Sequence, residues 1–357
     1  MKILYINEDR HDGILRAVSN PNNENVYILP KHVSGINGKV YIANSFSKLY
    51  SNGKISRYNP RYRRKLAKEI LRISEIEKPD VIHFVSSDEY LKLAGFTLGL
   101  LHNYKIVITL HWCQNNVIYN ILRWILSKKV SYIIFHSINS PIYREKNGEQ
   151  KSMYLTLPSE LTGKIYTQEV AKRNLGIDTE LPIISMLGTI EKYKGCDLLL
   201  DAIGKIKNKF YLIIAGKPKS ISADRIKKAV NCLNDNVLLN LEYISDERFT
   251  QIICASNYVV VPYRNSFDAT SGPLTESIRC GVPVISTDYG NLGRLTECYK
   301  LGYTFKSEDS DSLANTISKA IENGFEITED FENYRNRLRT DSYRLQQQLV
   351  YETVCKR

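Results

Sequence analysis

A chain of 357 residues is too long for one ordinary core at about 150 residues per domain, and so predicts two. Its 43% hydrophobic and 24% charged residues, with 19 Gly and 11 Pro, exclude disordered, collagen-like and coiled-coil classes, and no apolar run approaches the roughly 18 residues of a membrane span. The net charge of +11 is uneven: residues 1–175 hold 26 Lys and Arg against 14 Asp and Glu, and residues 176–357 hold 23 against 24.

The first residues turn acidic at Glu8 and Asp9, which does not read as a signal peptide. Seven cysteines lie far apart, without a C-x-x-C pair or histidines at zinc-finger spacing. They read as reduced thiols of a cytoplasmic protein.

Short apolar runs separated by helical periodicity predict a parallel α/β fold. In the first half, strands are expected at 2–7, 25–29, 81–84, 106–110 and 132–136, and helices near 59–77, 88–102 and 116–127. Around the first of these helices, Arg57, Arg61, Arg63, Arg64, Lys65, Lys68 and Arg72 are opposed only by Glu69, while Leu66, Ile70, Leu71 and Ile73 keep helical spacing. This is a basic amphipathic helix. It reads either as a solvated face or as a contact for anionic headgroups, worth about 1 kcal/mol per basic residue at a charged membrane. Nucleic acid is disfavoured, because no interleaved aromatics or nucleic-acid motif accompany the run. His83 and His136 close apolar strands and read as hydrogen-bonded core histidines. Trp112 and Trp124 flank a helix start and are expected to pack.

A short helix at 170–176 and the polar stretch 177–181 precede Pro182, where the pattern restarts. Strands are expected at 183–187, 211–215, 237–239, 258–261 and 284–286, and helices at 194–207, 223–233, 246–255, 275–280, 310–323 and 334–354. The predicted division is 1–178, 179–335 and a terminal helix within 336–357. Open parallel sheets bind ligands beyond the carboxyl ends of their strands, so two of them predict a site in a cleft.

Two strand ends in the second half carry glycine and lysine: Gly188 to Gly195, with Lys192 and Lys194, and Gly216-Lys217. Free amides at a helix start beside a lysine suit a diphosphate. A third strand end runs into Asp268, Ser271-Gly272-Pro273-Leu274 and Glu276, which offers carboxylates for sugar hydroxyls and amides for phosphate oxygens. Asp309-Ser310-Asp311 has the D-x-D form of a manganese site but precedes a helix, and reads as its cap.

Asp268-x7-Glu276 followed by Cys280-Gly281-Val282-Pro283-Val284-Ile285 resembles the GT-B glycosyltransferases of family 4. The resemblance extends in order through residues 78–83, Thr109-Leu110-His111, residues 134–137, Gly188 to Gly195 and Ala215-Gly216. It implies two Rossmann-like doubly wound domains facing a cleft, with the last helix crossing back to the first domain. It also implies a sugar moved with retention from a nucleotide-sugar donor, a UDP- or GDP-hexose, without a metal. Glu276 would then bind the ribose, Asp268 the transferred sugar, and Lys194 the diphosphate. Gly188, Thr189, Lys192, Gly216, Lys217, Ser271, Gly272, Pro273 and Leu274 would complete the donor site, and His111 would lie near the sugar. Gly13, His111 and Trp112 would serve the acceptor, a glycan or lipid-linked molecule at the inner face of a membrane.

Three departures from the family pattern stand out. Thr189 replaces an arginine, Asp268 replaces a glutamate, and the glycine-rich loop after the first strand is reduced to residues 7–13. They leave a non-catalytic sugar-nucleotide or glycan-binding subunit, or a GT-B sugar-nucleotide epimerase, as alternatives.

Overall fold

The computed structural model describes residues 1–8, 12–43, 60–88, 96–112, 116–159 and 164–357. The chain forms two compact units, residues 1–158 with 340–357, and residues 159–339.

In the first unit, β1 (Lys2–Ile6), β2 (Glu24–Leu29), β3 (Lys39–Ile42), β4 (Val81–Phe84), β5 (Ile106–Leu110), β6 (Tyr132–Phe135) and β7 (Ser152–Tyr154) form a seven-stranded sheet in the order β3-β2-β1-β4-β5-β6-β7. Every pairing is parallel. The central strands are buried along their whole length, as expected where helices cover both faces. The helices are α1 (Asp12–Val18), α2 (Pro60–Glu77) and α3 (Val117–Ser127), with the terminal helix Thr340–Lys356. One face of the sheet buries Leu66, Ile70 and Ile73 of α2 and Leu126 of α3. The other buries Leu15 and Val18 of α1 with Tyr343, Val350, Tyr351 and Val354 of the terminal helix.

The second unit holds β8 (Ile183–Leu187), β9 (Tyr211–Ala215), β10 (Val237–Asn240), β11 (Tyr258–Val261), β12 (Val284–Thr287) and β13 (Gly302–Phe305), in the order β10-β9-β8-β11-β12-β13. These too are all parallel. Its helices are α4 (Gln168–Leu175), α5 (Cys196–Ile203), α6 (Ala223–Val230), α7 (Asp246–Ala255), α8 (Gly272–Arg279), α9 (Gly290–Cys298), α10 (Ser310–Asn323) and α11 (Glu329–Arg337). Strand order reverses between β1 and β4 in one sheet and between β8 and β11 in the other, which marks the carboxyl ends there as ligand positions.

Several expectations change. The boundary near 177–181 moves to 158/159, because α4 packs on α7 and Gln168 Nε2 donates to Ala255 O at 3.0 Å. Gly176 ends α4 in a left-handed conformation (φ 68°), a local stop that says nothing about which core the helix joins. The expected helix 334–354 is two helices, interrupted at Leu338 and Arg339. Of the expected helix 88–102, residues 89–95 lie outside the described residues and Phe96–Leu101 is a 3₁₀ helix. The short edge strands β3 and β7 were not expected, nor was α9, whose glycines hide its periodicity. Gly293 there leaves no room for a side chain, since a Cβ would lie 2.1 Å from Asp288 O.

Candidate functional site

At the switch point of the second sheet, Gly188 follows β8 with φ 95° and Gly216 follows β9 with φ 143°. The two backbones are in contact: the Gly188 amide donates to Ala215 O at 2.9 Å, and a Cβ on Gly216 would stand 2.1 Å from Gly188 O. A Cβ on Gly188 would instead meet the Lys194 ammonium at 3.0 Å and Pro273 Cγ at 3.7 Å. Bare backbone, one amine and the start of α8 therefore converge. Gly195, also left-handed (φ 66°), lets the chain pass Pro262, whose carbonyl oxygen would be 1.9 Å from a Cβ.

Lys194 makes no ion pair among the described residues. Burial pushes its pKa down; Tyr193 and Glu191 push it up, and Lys219 adds to the lowering. Its ammonium lies 5.7 Å from the centroid of the Tyr263 ring. A partly dehydrated, unpaired cation beside a helix start is poised for an anion. Lys192 and Lys217 are exposed, and Thr189 is half-buried. Lys219, by contrast, is held by Glu191 at 2.7 Å.

Ser271 caps α8 by accepting from Leu274 N, Pro273 follows within the first turn, and the Gly272 amide has no acceptor among the described residues. Because Leu274 N is satisfied and proline has no N–H, α8 offers two fewer amides than a bare helix start. The Ser271 hydroxyl donates to Tyr263 Oη at 3.1 Å. Tyr193 stacks on Phe267 with centroids 5.4 Å apart, and Tyr263 meets both rings edge-on, at 6.1 and 5.0 Å. Arg264 ties the same loop to Asp197 at 2.5 Å and to Glu308. Tyr193, Tyr263, Phe267 and Arg264 were not expected from sequence, although Arg264 directly follows Pro262 and Tyr263 at a strand end.

The two carboxylates of the loop differ. Glu276 is buried, and the Ser159 hydroxyl donates to its Oε2 at 2.5 Å. Asp268 is half-buried, and its Oδ1 accepts from Asn291 N at 2.9 Å, at the start of α9. Gly290 permits that approach, since a Cβ there would lie 2.8 Å from the same oxygen. Asp309 caps α10 through the amides of Asp311 and Ser312. Among the described residues, no group of three His, Cys, Asp or Glu is placed to hold a metal ion.

In the first unit, His111 follows β5. Its amide donates to both oxygens of Asp88 (3.1 and 3.2 Å), and Trp112 N donates to Oδ1 at 2.9 Å. Burial pushes the Asp88 carboxyl pKa up, against the pull of His111 and these amides. The His111 ring places Nε2 3.0 Å from Val85 O and Nδ1 3.0 Å from His136 Nδ1. His136 Nε2 lies 3.2 Å from Tyr343 Oη. A carbonyl only accepts, so Nε2 of His111 carries a proton. With His111 neutral, the order is Tyr343 O–H to His136 Nε2, His136 Nδ1–H to His111 Nδ1, and His111 Nε2–H to Val85 O. Deeper, His83 bonds Tyr351 Oη at 2.6 Å and Thr109 Oγ1 at 2.8 Å. Both inner histidines are buried and hydrogen-bonded, and burial holds the pKa of His83 down at about 3 and that of His136 well below the usual range. Gly13 lies half-buried in the first turn of α1.

The basic helix needs two corrections. Arg57 lies outside the described residues. Arg63 is buried and paired with Glu8 at 2.5 Å, so it is removed from any membrane-contact set. Its spacing with Leu66, Ala67 and Ile70 already places it on the inward face. Arg61, Arg64, Lys65, Lys68 and Arg72 are exposed. Trp112 and Trp124, expected to pack, are 41% and 56% exposed. No described helix is long and apolar enough to cross a membrane.

Residues 167–340 match the family described as glycosyl transferases group 1. The D-inositol 3-phosphate glycosyltransferase of Gordonia bronchialis is 25% identical over 166 residues, 43% of this chain and 36% of that protein. The match thus spans about a third of the relative's length. Among solved structures, a glycosyltransferase from Rickettsia africae superposes with a TM-score of 0.73 at 15% identity, covering 99% of this chain and 98% of that one. The Anabaena protein HepE in complex with UDP-glucose gives 0.68 at 15% identity over 100% of both chains. At these identities the structural likeness shows the two-domain GT-B fold.

Proposed function

We propose that this chain, whose residues 167–340 match the family of glycosyl transferases group 1, is a retaining glycosyltransferase that takes a sugar from a nucleotide-sugar donor. The observation that carries the reading is the convergence of Gly188, Lys194 and the start of α8 at one switch point. It is a cradle suited to a diphosphate.

In this reading Gly188 and Gly216 let the diphosphate approach bare backbone, flanked by Thr189 and Leu274. Lys194 and the Gly272 amide stabilise the charge that grows on it. Glu276, oriented by Ser159, accepts from the ribose hydroxyls, and Asp268 takes a hydroxyl of the transferred sugar. The bond from the anomeric carbon to the diphosphate oxygen breaks as an acceptor hydroxyl attacks the same face. The acceptor proton passes to the departing diphosphate oxygen, so no protein nucleophile is needed. Fixed donors and cations lower this barrier by meeting charge where it develops. Exposed Lys192 and Lys217 supply further cations in place of the arginine absent at Thr189. No metal is assigned a role.

The first unit takes the acceptor, a glycan or lipid-linked molecule, with Gly13, His111 and Trp112 as its candidate contacts. The exposed Arg61, Arg64, Lys65 and Lys68 contact anionic lipid at the inner face of a membrane. Support comes from the charge surplus of the first half and from the exposure of these four side chains.

The test is a panel of UDP-, GDP- and ADP-sugars without added metal, read by thermal shift and by release of free nucleotide. The complex of the Anabaena neighbour with UDP-glucose puts uridine donors first. A donor at 100 times its Kd adds about 2.7 kcal/mol of stability. Binding with slow nucleotide release supports the transferase, binding without any turnover points to the sugar-nucleotide-binding subunit, and no binding overturns the reading.

A further inference from the structure

We propose that α3 is a membrane-insertion element, whose outward face seats at the headgroup–acyl boundary of an anionic bilayer. This deepens the membrane contact proposed for α2: that contact is electrostatic, whereas this one buries apolar surface.

The inward side of α3 is already used. Leu126 is buried in the core, with Tyr119 and Leu122 packed against it, and Arg123 and Ser127 are buried too. The outward side should then be polar, as on most surface helices. Instead Val117, Ile118, Ile121 and Trp124 are 52% to 73% exposed. Their spacing of i, i+1, i+4 and i+7 puts them in one stripe along the helix. The sequence from Val117 to Ser127 contains no acidic residue. A contiguous apolar stripe of this kind marks an interaction surface.

Charge identifies the occupant. The stripe runs on to Lys128, exposed, whose ammonium lies 5.5 Å from the centroid of the Trp124 ring, and Lys129 beside it is also exposed. Tryptophan and lysine at the edge of an apolar stripe is the arrangement of interfacial helices, in which the ring sits at headgroup depth and the amine reaches the phosphates. On the same face of the same sheet, α2 exposes Arg61, Arg64, Lys65, Lys68 and Arg72 against Glu75 as its exposed acid. A second copy docked through this face would bring two such basic sets together. An anionic lipid surface satisfies both the stripe and the charge.

The experiment uses the full chain with phosphatidylcholine vesicles, with and without 30% phosphatidylglycerol. Trp112→Phe leaves Trp124 as the single tryptophan. Insertion predicts a blue shift of Trp124 emission and quenching by brominated acyl chains, with anionic vesicles only. Ile118→Ser, Ile121→Ser and Trp124→Ser together should weaken vesicle binding by at least about tenfold, while helix content by circular dichroism is retained. Arg61→Glu, Arg64→Glu and Lys68→Glu together should remove the preference for anionic lipid. If the serine variant binds like the parent and bromine does not quench, insertion is overturned while the electrostatic contact stands. If the parent binds no vesicle, both are overturned. If the serine changes abolish a dimer seen by sedimentation in a parent that ignores vesicles, the face belongs to a second copy and the inference fails.

Discussion

Nδ1 of His136 lies 3.0 Å from Nδ1 of His111, so exactly one of the two nitrogens can carry a proton in that contact. With His111 neutral, His136 is the donor and Tyr343 must donate to its far nitrogen. A second proton on His111, at Nδ1, would reverse the bonds to His136 and on to Tyr343 and leave the one to Val85 O as it is. Tyr343→Phe removes the hydroxyl bonded to Nε2 of His136, while Val85 O still sets the tautomer of His111, and is expected to shift Nε2 of His136 and loosen its ring. Side-chain ¹⁵N shifts would register the change. Turnover should fall by about tenfold, a fraction of what a positioned acid or base contributes, while the Kd for donor stays within about twofold. Unchanged ¹⁵N shifts of His136 in the variant would dismiss this positioning role.

Glu276 and Ser159 form a second pair, joined at 2.5 Å. A hydrogen bond to a charged group is worth about 1.5–3 kcal/mol. Glu276→Gln should therefore weaken nucleotide binding about 10- to 100-fold, and Ser159→Ala by a smaller factor, because it loosens the carboxylate without removing it. Isothermal titration with UDP would measure both. Equal affinities in Glu276→Gln and the parent would take Glu276 out of the donor site.

Two glycines 28 positions apart in the numbering should fail in different ways. In Gly216→Ala the new Cβ meets the Gly188 carbonyl oxygen at 2.1 Å, a backbone clash expected to cost about 2 kcal/mol or more. In Gly188→Ala the nearest atom is the mobile Lys194 ammonium at 3.0 Å. Beyond the strain of φ 95°, about 1–2 kcal/mol, the main loss should be in donor affinity. Denaturant melts with and without nucleotide separate the two. Loss of stability without loss of nucleotide affinity in Gly188→Ala would count against the cradle.

His83 makes stability depend on pH. Its pKa is about 3 in the folded chain against an ordinary 6.5, so above pH 6.5 neither state is protonated there. As pH falls from about 6.5 to about 3, the unfolded chain takes up a proton that the folded chain refuses, and stability is lost. The slope approaches about 1.4 kcal/mol per pH unit for one such group. His83→Gln should flatten this part of the stability curve, measured by urea unfolding from pH 7 to pH 4. A parallel curve would mean that His83 is not the group responsible. His136 acts in the same direction.

Much of the second unit was readable in the sequence, because its strands are short unbroken apolar runs ending in glycine, as at Leu187-Gly188 and Ala215-Gly216. Buried parallel strands must be apolar on both faces, and the chain must turn where they end. Elements that are short and partly exposed, or broken by glycine, escaped. The edge strand β3 (Lys39–Ile42) is only partly buried, and α9 opens Gly290-Asn291-Leu292-Gly293, a poor helical signal whose reason lies in contacts with Asp288 and Asp268. Arg63 misled because a charge was weighed before its spacing. Its partner Glu8 is 55 positions away, and only the fold brings them together.

By itself the sequence determined two parallel α/β units, the strand ends at Gly188, Gly216 and Pro262, and the residue types gathered there, since hydrophobic period and glycine placement are local properties of the chain. The tertiary structure decided which groups face one another. It set Lys194 against Gly188, joined Ser159 to Glu276 across 117 positions, ordered Tyr343, His136 and His111 into one line, and turned the apolar side of Val117, Ile118, Ile121 and Trp124 outward. Such pairings depend on side-chain directions imposed by sheet order and helix rotation, and no local pattern in the chain encodes those.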